Sequence, residues 1–286
     1  MRGPVALVTT FGLGRTPAQV GMLEVLEERG IRPDVVAGTS LGAFNAAAVA
    51  AGHSSAQMRA FWLWLHDEIL GTPVRAIARS MTGVQSRRQE QALRNRIAEF
   101  LPGTFGDLGL PLRLAATELA TGAEHVLDGG NLADAVMASA ALPGVFPPVA
   151  FDGGHLIDGG LVAGMPLRLV PPEVRTVIVL DTGAAAVSPE VAAGYRWWEV
   201  GALAYAHQIR EQAVNALLSA AATQTVVILS ADTGRLLDFS DPEACMQSGR
   251  EAAAATLDAL PARVRRGIYG LPAGLSDYEG LHAVAQ

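Results

Sequence analysis

The sequence predicts a single α/β domain in which helices cover a mainly parallel sheet. Short apolar runs alternate with longer helical patterns along the chain. Half of the 286 residues are hydrophobic, at 50%, and no internal repeat or linker-like segment divides them. A chain of this length and composition buries one large core, so the predicted domain covers residues 1–286.

Short apolar runs rich in β-branched residues predict the strands. They lie at 5–9, 35–37, 112–117, 155–157, 176–181 and 225–231. Helical periodicity fills the intervals, and its longest stretch runs from Arg196 to Ala222. Because strands that are separated by helices pair in parallel, a mainly parallel sheet is expected.

A strand, a sharp turn and a helix are predicted around Ser40. The run 35–37 leads into Gly38-Thr39-Ser40-Leu41-Gly42, and an alanine-rich segment follows. In a nucleophile elbow the serine is strained, and glycines two positions away avoid a collision between strand and helix. The helix N-terminus then favours an alkoxide or oxyanion. Gly38, Ser40 and Gly42 are therefore candidates for a catalytic turn, although similar turns are common in α/β proteins without this function.

The sequence offers no convincing histidine base for Ser40. His207 lies within an ordinary helical pattern, and His282 lies in the C-terminal tail. Only one predicted strand precedes the strand of the elbow, whereas several precede it in an α/β-hydrolase. This order argues against a serine-histidine-acid triad.

Three Asp-Gly-Gly sequences begin at Asp128, Asp152 and Asp158. Asp152 lies between two apolar runs, which is typical of a hairpin turn, and Asp128 precedes a helical pattern as a turn or cap. Only Asp158 both follows an apolar run and meets a break in the backbone. Asp158 is therefore the candidate carboxylate, with Gly159 and Gly160 as its turn, and an aspartate that merely bonds its own backbone is the alternative.

Several motifs, in order, resemble those of the patatin-like phospholipases, also called lipid acyl hydrolases. They are a first strand and loop with Arg15, helix 20–31, the Ser40 elbow, segments 115–122 and 138–148, and Asp158-Gly159-Gly160. The resemblance is strongest over residues 5–167. It implies a three-layer α/β/α fold, which residues 168–286 complete with further strands and outer helices. It also implies a dyad in which Ser40 attacks an ester carbonyl and Asp158 accepts the proton, without histidine, metal or organic cofactor.

The first loop (residues 10–16) departs from the family pattern. It reads TFGLGRT, where the family carries Gly-Gly-Gly-x-Arg/Lys-Gly. Because backbone N–H groups form an oxyanion hole, we expect Gly12, Leu13 and Gly14 to supply it. Leu41 is a further donor, Arg15 supports the loop, and the two glycines take the permissive conformations. A broken hole is the alternative.

Two further local predictions concern the helices beside the elbow. Thr16 is expected to cap the helix after the first loop, with Pro17 at its first position and Gln19 completing a capping box. Ser139, in the helical pattern 132–141, is interpreted as a small residue that allows tight helix packing, and a position lining the site is the alternative.

Composition excludes several classes of protein. All 21 cationic residues are arginine, which excludes a P-loop lysine and a Schiff-base lysine. Cys245 is the only cysteine, which excludes an internal disulfide and thiolate zinc sites. The net charge of −7 argues against a nucleic-acid binder. With neither a signal peptide nor a transmembrane span in evidence, a cytoplasmic location, with peripheral membrane contact as an option, is expected, and a cysteine-poor secreted protein is the alternative.

An aromatic cluster at 61–65 adjoins an arginine-rich segment. Between positions 75 and 96, six arginines face one glutamate, an excess of five positive charges. The arginines are Arg75, Arg79, Arg87, Arg88, Arg94 and Arg96. Segment 61–96 is therefore a candidate for peripheral contact with an anionic membrane, and a solvated helix face beside a core helix is the alternative.

The sequence thus predicts a serine hydrolase that cleaves carboxylic esters of phospholipids or other acyl lipids through an acyl-enzyme on Ser40. Its expected ligand is a lipid or a small ester, and its oligomeric state is undetermined. A catalytically weak or inactive protein that binds acyl chains or a partner is the first alternative. Acyl transfer or thioester hydrolysis through the same acyl-enzyme is the second.

Overall fold

The fold is seen in a computed structural model that describes residues 3–70, 84–183, 193–194, 200–231, 233–272, 275, 278–282 and 285. Arg75 and Arg79 of the arginine-rich segment lie outside the described residues. Arg87 and Arg88 lie on a described helix, but their side chains are not described.

Nine strands within the described ranges form one sheet. They are β1 (Val5–Thr9), β2 (Val35–Thr39), β3 (Leu112–Glu118), β4 (Glu124–Leu127), β5 (Val149–Phe151), β6 (Gly154–Asp158), β7 (Thr176–Asp181), β8 (Thr225–Ser230) and β9 (Gly267–Tyr269). Their order is β5-β6-β3-β2-β1-β7-β8-β9, and β4 also pairs with β3. β1, β2, β3, β7, β8 and β9 run parallel, whereas β4, β5 and β6 join antiparallel beside β3.

Helices cover both faces of this sheet. They are α1 (Ala18–Glu28), α2 (Leu41–Ala50), α3 (Ser55–Leu65), α4 (Val84–Phe100), α5 (Leu132–Ser139), α6 (Gly160–Ala163), α7 (Val200–Ala221), α8 (Pro242–Asp258) and α9 (Glu279–His282). A π-helical turn, His66–Leu70, follows α3, and 3₁₀ turns lie at Leu13–Arg15, Phe105–Asp107 and Leu167–Leu169.

Alternating side chains of the parallel strands belong to two separate cores. In β1, Leu7 packs on the face that carries α1, α2, α3, α5 and α8. Its neighbours Ala6 and Val8 pack on the other face, which carries α6, α7 and α9. This is the alternation that a strand buried on both sides requires. The predicted three-layer α/β/α architecture is confirmed.

The aromatic cluster at 61–65 is largely part of the first core. Phe61 and Trp62 are each 2% exposed, and the ring of Phe61 stacks on Phe44 with centroids 4.0 Å apart. Trp62 also donates from Nε1 to Asn45 Oδ1 at 2.9 Å. These two aromatic side chains therefore face the protein interior and not a membrane.

The predicted capping box at Thr16 is wrong. Thr16 has helical dihedrals (φ −57°, ψ −31°), because the 3₁₀ turn of the first loop runs directly toward α1. Its hydroxyl donates back to Leu13 O at 2.8 Å instead of capping the helix. Gln19 uses its side chain elsewhere, donating from Nε2 to Thr10 O at 2.8 Å. The two side chains thus brace the first loop.

Candidate active site

Ser40 lies between the end of β2 and the first residue of α2. Its backbone is in a strained region with positive φ (φ 55°, ψ −139°), as the elbow motif predicts. The flanking glycines allow this turn, because a Cβ on Gly42 would lie 2.3 Å from Thr10 O and one on Gly38 would lie 2.5 Å from Ala46 Cβ. The strain places the serine hydroxyl at the N-terminus of a ten-residue helix, where negative charge is favoured.

Asp158 is brought to Ser40 by β6, the antiparallel strand that pairs with β3. The β5–β6 hairpin turns at Asp152, as predicted, and β6 ends at Asp158. Ser40 Oγ donates to Asp158 Oδ2 at 2.6 Å. Asp158 is 0% exposed and Ser40 is 2% exposed. The two residues singled out from the sequence therefore form a buried hydrogen-bonded pair.

The other carboxylate oxygen of Asp158, Oδ1, accepts two further hydrogen bonds, one from a backbone N–H and one from the hydroxyl of Tyr205. Gly160 N donates to Oδ1 at 2.7 Å, within the turn that the sequence predicts. Gly159 N donates to Ser139 O at 3.0 Å, which fixes the same turn against α5. Burial raises the pKa of Asp158 to about 6, although the hydrogen bonds from Ser40, Gly160 and Tyr205 oppose this rise. The carboxyl is thus a stronger base than an exposed aspartate and is still mostly ionised at neutral pH.

Tyr205 is the second donor to Oδ1, and nothing in the sequence pattern marked it. Its hydroxyl lies 2.8 Å from Asp158 Oδ1. It belongs to α7, in a segment that reads as an ordinary amphipathic helix. Only the packing of α7 against the turn after β6 reveals that this tyrosine reaches the carboxylate.

Ser139 contacts the backbone of the candidate nucleophile. Ser40 N donates to Ser139 Oγ at 3.0 Å, and Ser139 Oγ donates in turn to Ala115 O at 2.6 Å. Ser139 therefore lies beside the candidate nucleophile, as the alternative interpretation of this residue expects. Its hydroxyl satisfies two buried backbone groups beside the elbow.

The first loop differs from its predicted conformation. Leu13, and not a glycine, takes the left-handed region (φ 51°), whereas Gly12 is extended with φ −165°. Gly12 is needed for close approach instead, because a Cβ there would lie 2.2 Å from Thr182 Oγ1. Gly14 N donates to Leu236 O at 2.8 Å, so this N–H is already engaged. The N–H of Gly14, which was predicted to be an oxyanion donor, thus bonds to Leu236 O in this structure.

Three of the expected donors have no competing partner among the described residues. The N–H groups of Gly12, Leu13 and Leu41 make no hydrogen bond to that part of the chain. Leu41 is the first residue of α2, where backbone N–H groups lack intrahelical acceptors.

Arg15 is buried beneath the first loop, at 1% exposure. Its Nη2 donates to Gly234 O, whereas its Nε and Nη1 find no hydrogen-bond partner in the portion of the chain that the structure describes. Cys245 Sγ contacts Arg15 O at 3.3 Å. The side chain of Arg15 is thus packed between the rest of the first loop and segment 234–236.

Neither histidine considered as a base is seen to reach the pair. His207 is exposed, makes no described contact with Ser40 or Asp158, and has its pKa lowered by desolvation and by Arg210. The side chain of His282 is not described. Within the described ranges, acidic, histidine and cysteine side chains form no cluster able to hold a metal ion. The helices in those ranges are too short or too polar to span a bilayer.

Comparisons with known proteins agree with the resemblance. The sequence model of the patatin-like phospholipase family matches residues 12–171, which is more than half of the chain. Patatin-like phospholipase domain-containing protein 7 of Rattus norvegicus is 32% identical over 185 residues, covering 63% of this chain and 14% of that protein. An uncharacterised NTE family protein of Mycobacterium tuberculosis is 30% identical over 164 residues, covering 57% of this chain and 44% of that protein. The match therefore spans less than half of either relative.

Among solved structures, VipD from Legionella pneumophila superimposes with a TM-score of 0.50 at 15% identity. The superposition covers 90% of this chain and 67% of that chain, and it supports the fold alone. The family match over residues 12–171 includes the first loop from Gly12, the elbow of Ser40 and the turn of Asp158. The chain therefore belongs to the patatin-like phospholipase family, whose members are generally ester hydrolases.

Proposed function

We propose that this chain hydrolyses carboxylic esters of lipids through a Ser40–Asp158 dyad. The observation that carries this proposal is the 2.6 Å hydrogen bond from the hydroxyl of Ser40, whose backbone is strained, to the buried Asp158 carboxylate. Membership of the patatin-like phospholipase family supports acyl lipids as the substrate class.

The first half-reaction forms an acyl-enzyme. Ser40 Oγ bonds to the ester carbonyl carbon while its proton passes to Asp158 Oδ2. The tetrahedral intermediate collapses when the bond to the alcohol oxygen breaks, and that oxygen takes the proton from Asp158. The raised pKa of Asp158 suits both directions of transfer, because an acid of about pKa 6 accepts and returns protons near neutral pH.

The second half-reaction hydrolyses the acyl-enzyme. Asp158 accepts a proton from water as the water oxygen bonds to the acyl carbon. The bond from that carbon to Ser40 Oγ then breaks, and Oγ recovers the proton. The products are a carboxylic acid and the original enzyme, and no metal or organic cofactor enters either step.

The negative charge of the tetrahedral intermediate requires backbone donors near Ser40. The proposed oxyanion hole uses the N–H groups of Gly12, Leu13 and Leu41, and it omits Gly14 because Leu236 O occupies that donor. Loss of one such donor typically costs about 100-fold to 1000-fold in rate. A catalytically weak protein that binds acyl chains is therefore the second candidate, favoured by the engaged Gly14.

Intact mass after exposure to a small fluorophosphonate tests the proposal. A small probe is appropriate because Ser40 is only 2% exposed. Wild type and the control Ser219→Ala, which changes an exposed serine of α7, should gain one adduct, whereas Ser40→Ala should gain none. Absence of a wild-type adduct, or an adduct that persists in Ser40→Ala, would contradict the proposal.

Substrate class is tested next with labelled phospholipid vesicles and a soluble short-chain ester. Release of free fatty acid, lost in Ser40→Ala, is the expected result. Transfer of the acyl group to an added alcohol or thiol instead of water would identify the chain as an acyltransferase. Binding of fatty acid without turnover would favour the acyl-binding alternative.

A further inference from the structure

The two carboxylate oxygens of Asp158 accept different numbers of hydrogen bonds. Within the described ranges, Oδ2 accepts only the Ser40 hydroxyl, at 2.6 Å. Oδ1 accepts both Gly160 N at 2.7 Å and Tyr205 Oη at 2.8 Å. Oδ2, the oxygen that would accept the proton of Ser40, therefore has one donor, whereas two donors hold Oδ1.

We infer that Tyr205 is a positioning residue for the dyad: its hydroxyl fixes Oδ1 of Asp158 so that Oδ2 faces Ser40. The inference rests on the proposed function. An aspartate carboxylate rotates readily about its last torsion, because that torsion joins sp³ and sp² atoms. The hydrogen bond from Gly160 N alone leaves the carboxylate of Asp158 able to turn about Oδ1. A second hydrogen bond to Oδ1, from Tyr205 on α7, limits this rotation of the carboxylate plane.

The surroundings of Tyr205 hold its hydroxyl in place. Its ring packs edge to face on Phe11 of the first loop, with centroids 6.0 Å apart and planes at 84°. The hydroxyl passes close to Gly160, where a Cβ would lie 2.6 Å from the tyrosine oxygen. An aromatic contact on one side and a bare backbone on the other thus aim this donor at Oδ1.

Tyr205 acts as a fixed donor and not as an acid. Burial and the neighbouring Asp158 carboxylate raise the pKa of its phenol well above the ordinary value. The phenol of Tyr205 therefore stays protonated at every pH at which Asp158 titrates. Within the described residues, no charged side chain forms an ion pair with Asp158, so the groups that face it are Ser40, the Gly160 N–H and Tyr205.

Tyr205→Phe tests the inference, because it keeps the ring against Phe11 and removes only the hydroxyl. We expect fluorophosphonate labelling of Ser40 at pH 7 to slow about 10-fold, as for loss of a hydrogen bond to a charged group. We also expect the acidic limb of the pH–rate profile to move to higher pH, since the lost donor favoured the ionised carboxylate. With a soluble ester, kcat should fall while KM stays unchanged.

Tyr278→Phe is the matched control, because it too removes a tyrosine hydroxyl that bonds a carboxylate, that of Glu211. Tyr278 makes no described contact with Ser40 or Asp158. The labelling rate and the pH–rate profile of Tyr278→Phe should therefore equal those of wild type. A second variant, Tyr205→3-fluorotyrosine, keeps the fold even if phenylalanine does not. Its more acidic phenol is a stronger donor, so the acidic limb should move to lower pH.

The outcomes separate the inference from the proposed function. Wild-type protein that is not labelled at Ser40 would overturn the proposed function and the inference with it. Labelling of wild type together with an unchanged rate and limb in Tyr205→Phe would overturn the inference alone. If phenylalanine prevents folding, an unmoved limb in the fluorotyrosine protein would likewise overturn the inference.

Discussion

Ser139 holds the backbone of Ser40 through a single hydroxyl. Ser40 N lies 3.0 Å from Ser139 Oγ, and that hydroxyl donates to Ala115 O at 2.6 Å. Ser139 is 0% exposed, so both bonds are shielded from solvent. The last residue of α5 thereby ties the strained elbow to β3.

Ser139→Ala should destabilise the protein and slow acylation of Ser40. The substitution leaves a buried N–H and a buried carbonyl without this partner, at a cost of about 1–3 kcal/mol in the free energy of unfolding. Urea denaturation measures the stability, and fluorophosphonate labelling measures the effect on Ser40. Ser219→Ala is the control, and equal stability of the two variants would contradict the role of this hydroxyl.

Acylation of Ser40 should depend on pH with an acidic limb near pH 6. Burial raises the pKa of Asp158 to about 6, and the carboxyl accepts no proton from Ser40 once it is protonated. Below that pH the labelling rate should fall about 10-fold per pH unit. A limb near pH 4 would show that Asp158 titrates as an exposed carboxyl in the folded protein.

Asp158→Asn should abolish turnover, and its stability relative to wild type should be greater at pH 8 than at pH 4. Because the pKa of Asp158 is higher in the folded state than its ordinary value of 3.8, the folded state binds more protons between pH 4 and 6. Wild-type stability therefore falls as pH rises through this window, and the variant does not share that loss. The free energy of unfolding of the variant minus that of wild type should be larger at pH 8 than at pH 4, by on the order of 1–3 kcal/mol.

Thermal unfolding at pH 4 and pH 8 measures that difference. Asp152→Asn is the control, since this aspartate occupies the exposed hairpin turn that precedes β6. A stability difference between wild type and Asp158→Asn that does not change with pH would contradict the raised pKa.

Gly14→Ala should displace the first loop. A Cβ at Gly14 would lie 2.2 Å from Asp238 O, and a backbone atom cannot yield as a flexible side chain does. We expect a loss of about 1–3 kcal/mol in stability and slower labelling of Ser40. Gly129→Ala is the matched control, because its Cβ would meet no described atom within 4 Å. If the free energy of unfolding of Gly14→Ala equalled that of wild type, the close contact between Gly14 and Asp238 O would be contradicted.

Membrane contact through segment 61–96 remains a proposal, now restricted to its basic part. Phe61 and Trp62 are buried, so the proposal now rests on the arginine excess at 75–96, which would be attracted to anionic lipid. Replacement of Arg75, Arg79, Arg87 and Arg88 by Gln should reduce sedimentation with anionic vesicles and leave hydrolysis of a soluble ester unchanged. Unchanged sedimentation would refute the proposal, and equal loss of both would indicate misfolding.

Much of the fold could be predicted because buried parallel strands are continuous apolar runs. The predicted runs 5–9 and 176–181 coincide with β1 and β7. β4 and β9 were not predicted, since they contain only four and three residues. The family and its α/β/α class were also accessible, because both follow from local motifs in a fixed order.

The conformation of the first loop and the full environment of Asp158 could not be predicted. Leu13 adopts positive φ because the strands, α8 and segment 234–238 position the chain on both sides of it, and no local signal encodes those contacts. Tyr205 reaches Asp158 through the docking of α7, whose sequence pattern records only which face is buried. Tertiary contacts, and not propensity, decide both.

The hydrogen bonds at Asp158 join parts of the chain that a ribosome produces at very different times. Ser40 and Asp158 are 118 positions apart, and Tyr205 follows Asp158 by 47. Because a domain generally folds as a unit, the elbow meets its base only after both segments have been synthesised. Under the proposed chemistry, a nascent chain that lacks α7 can bring Ser40 and Asp158 together only without the third donor to the carboxylate, so its reactivity toward surrounding lipids rises when α7 has emerged and docked.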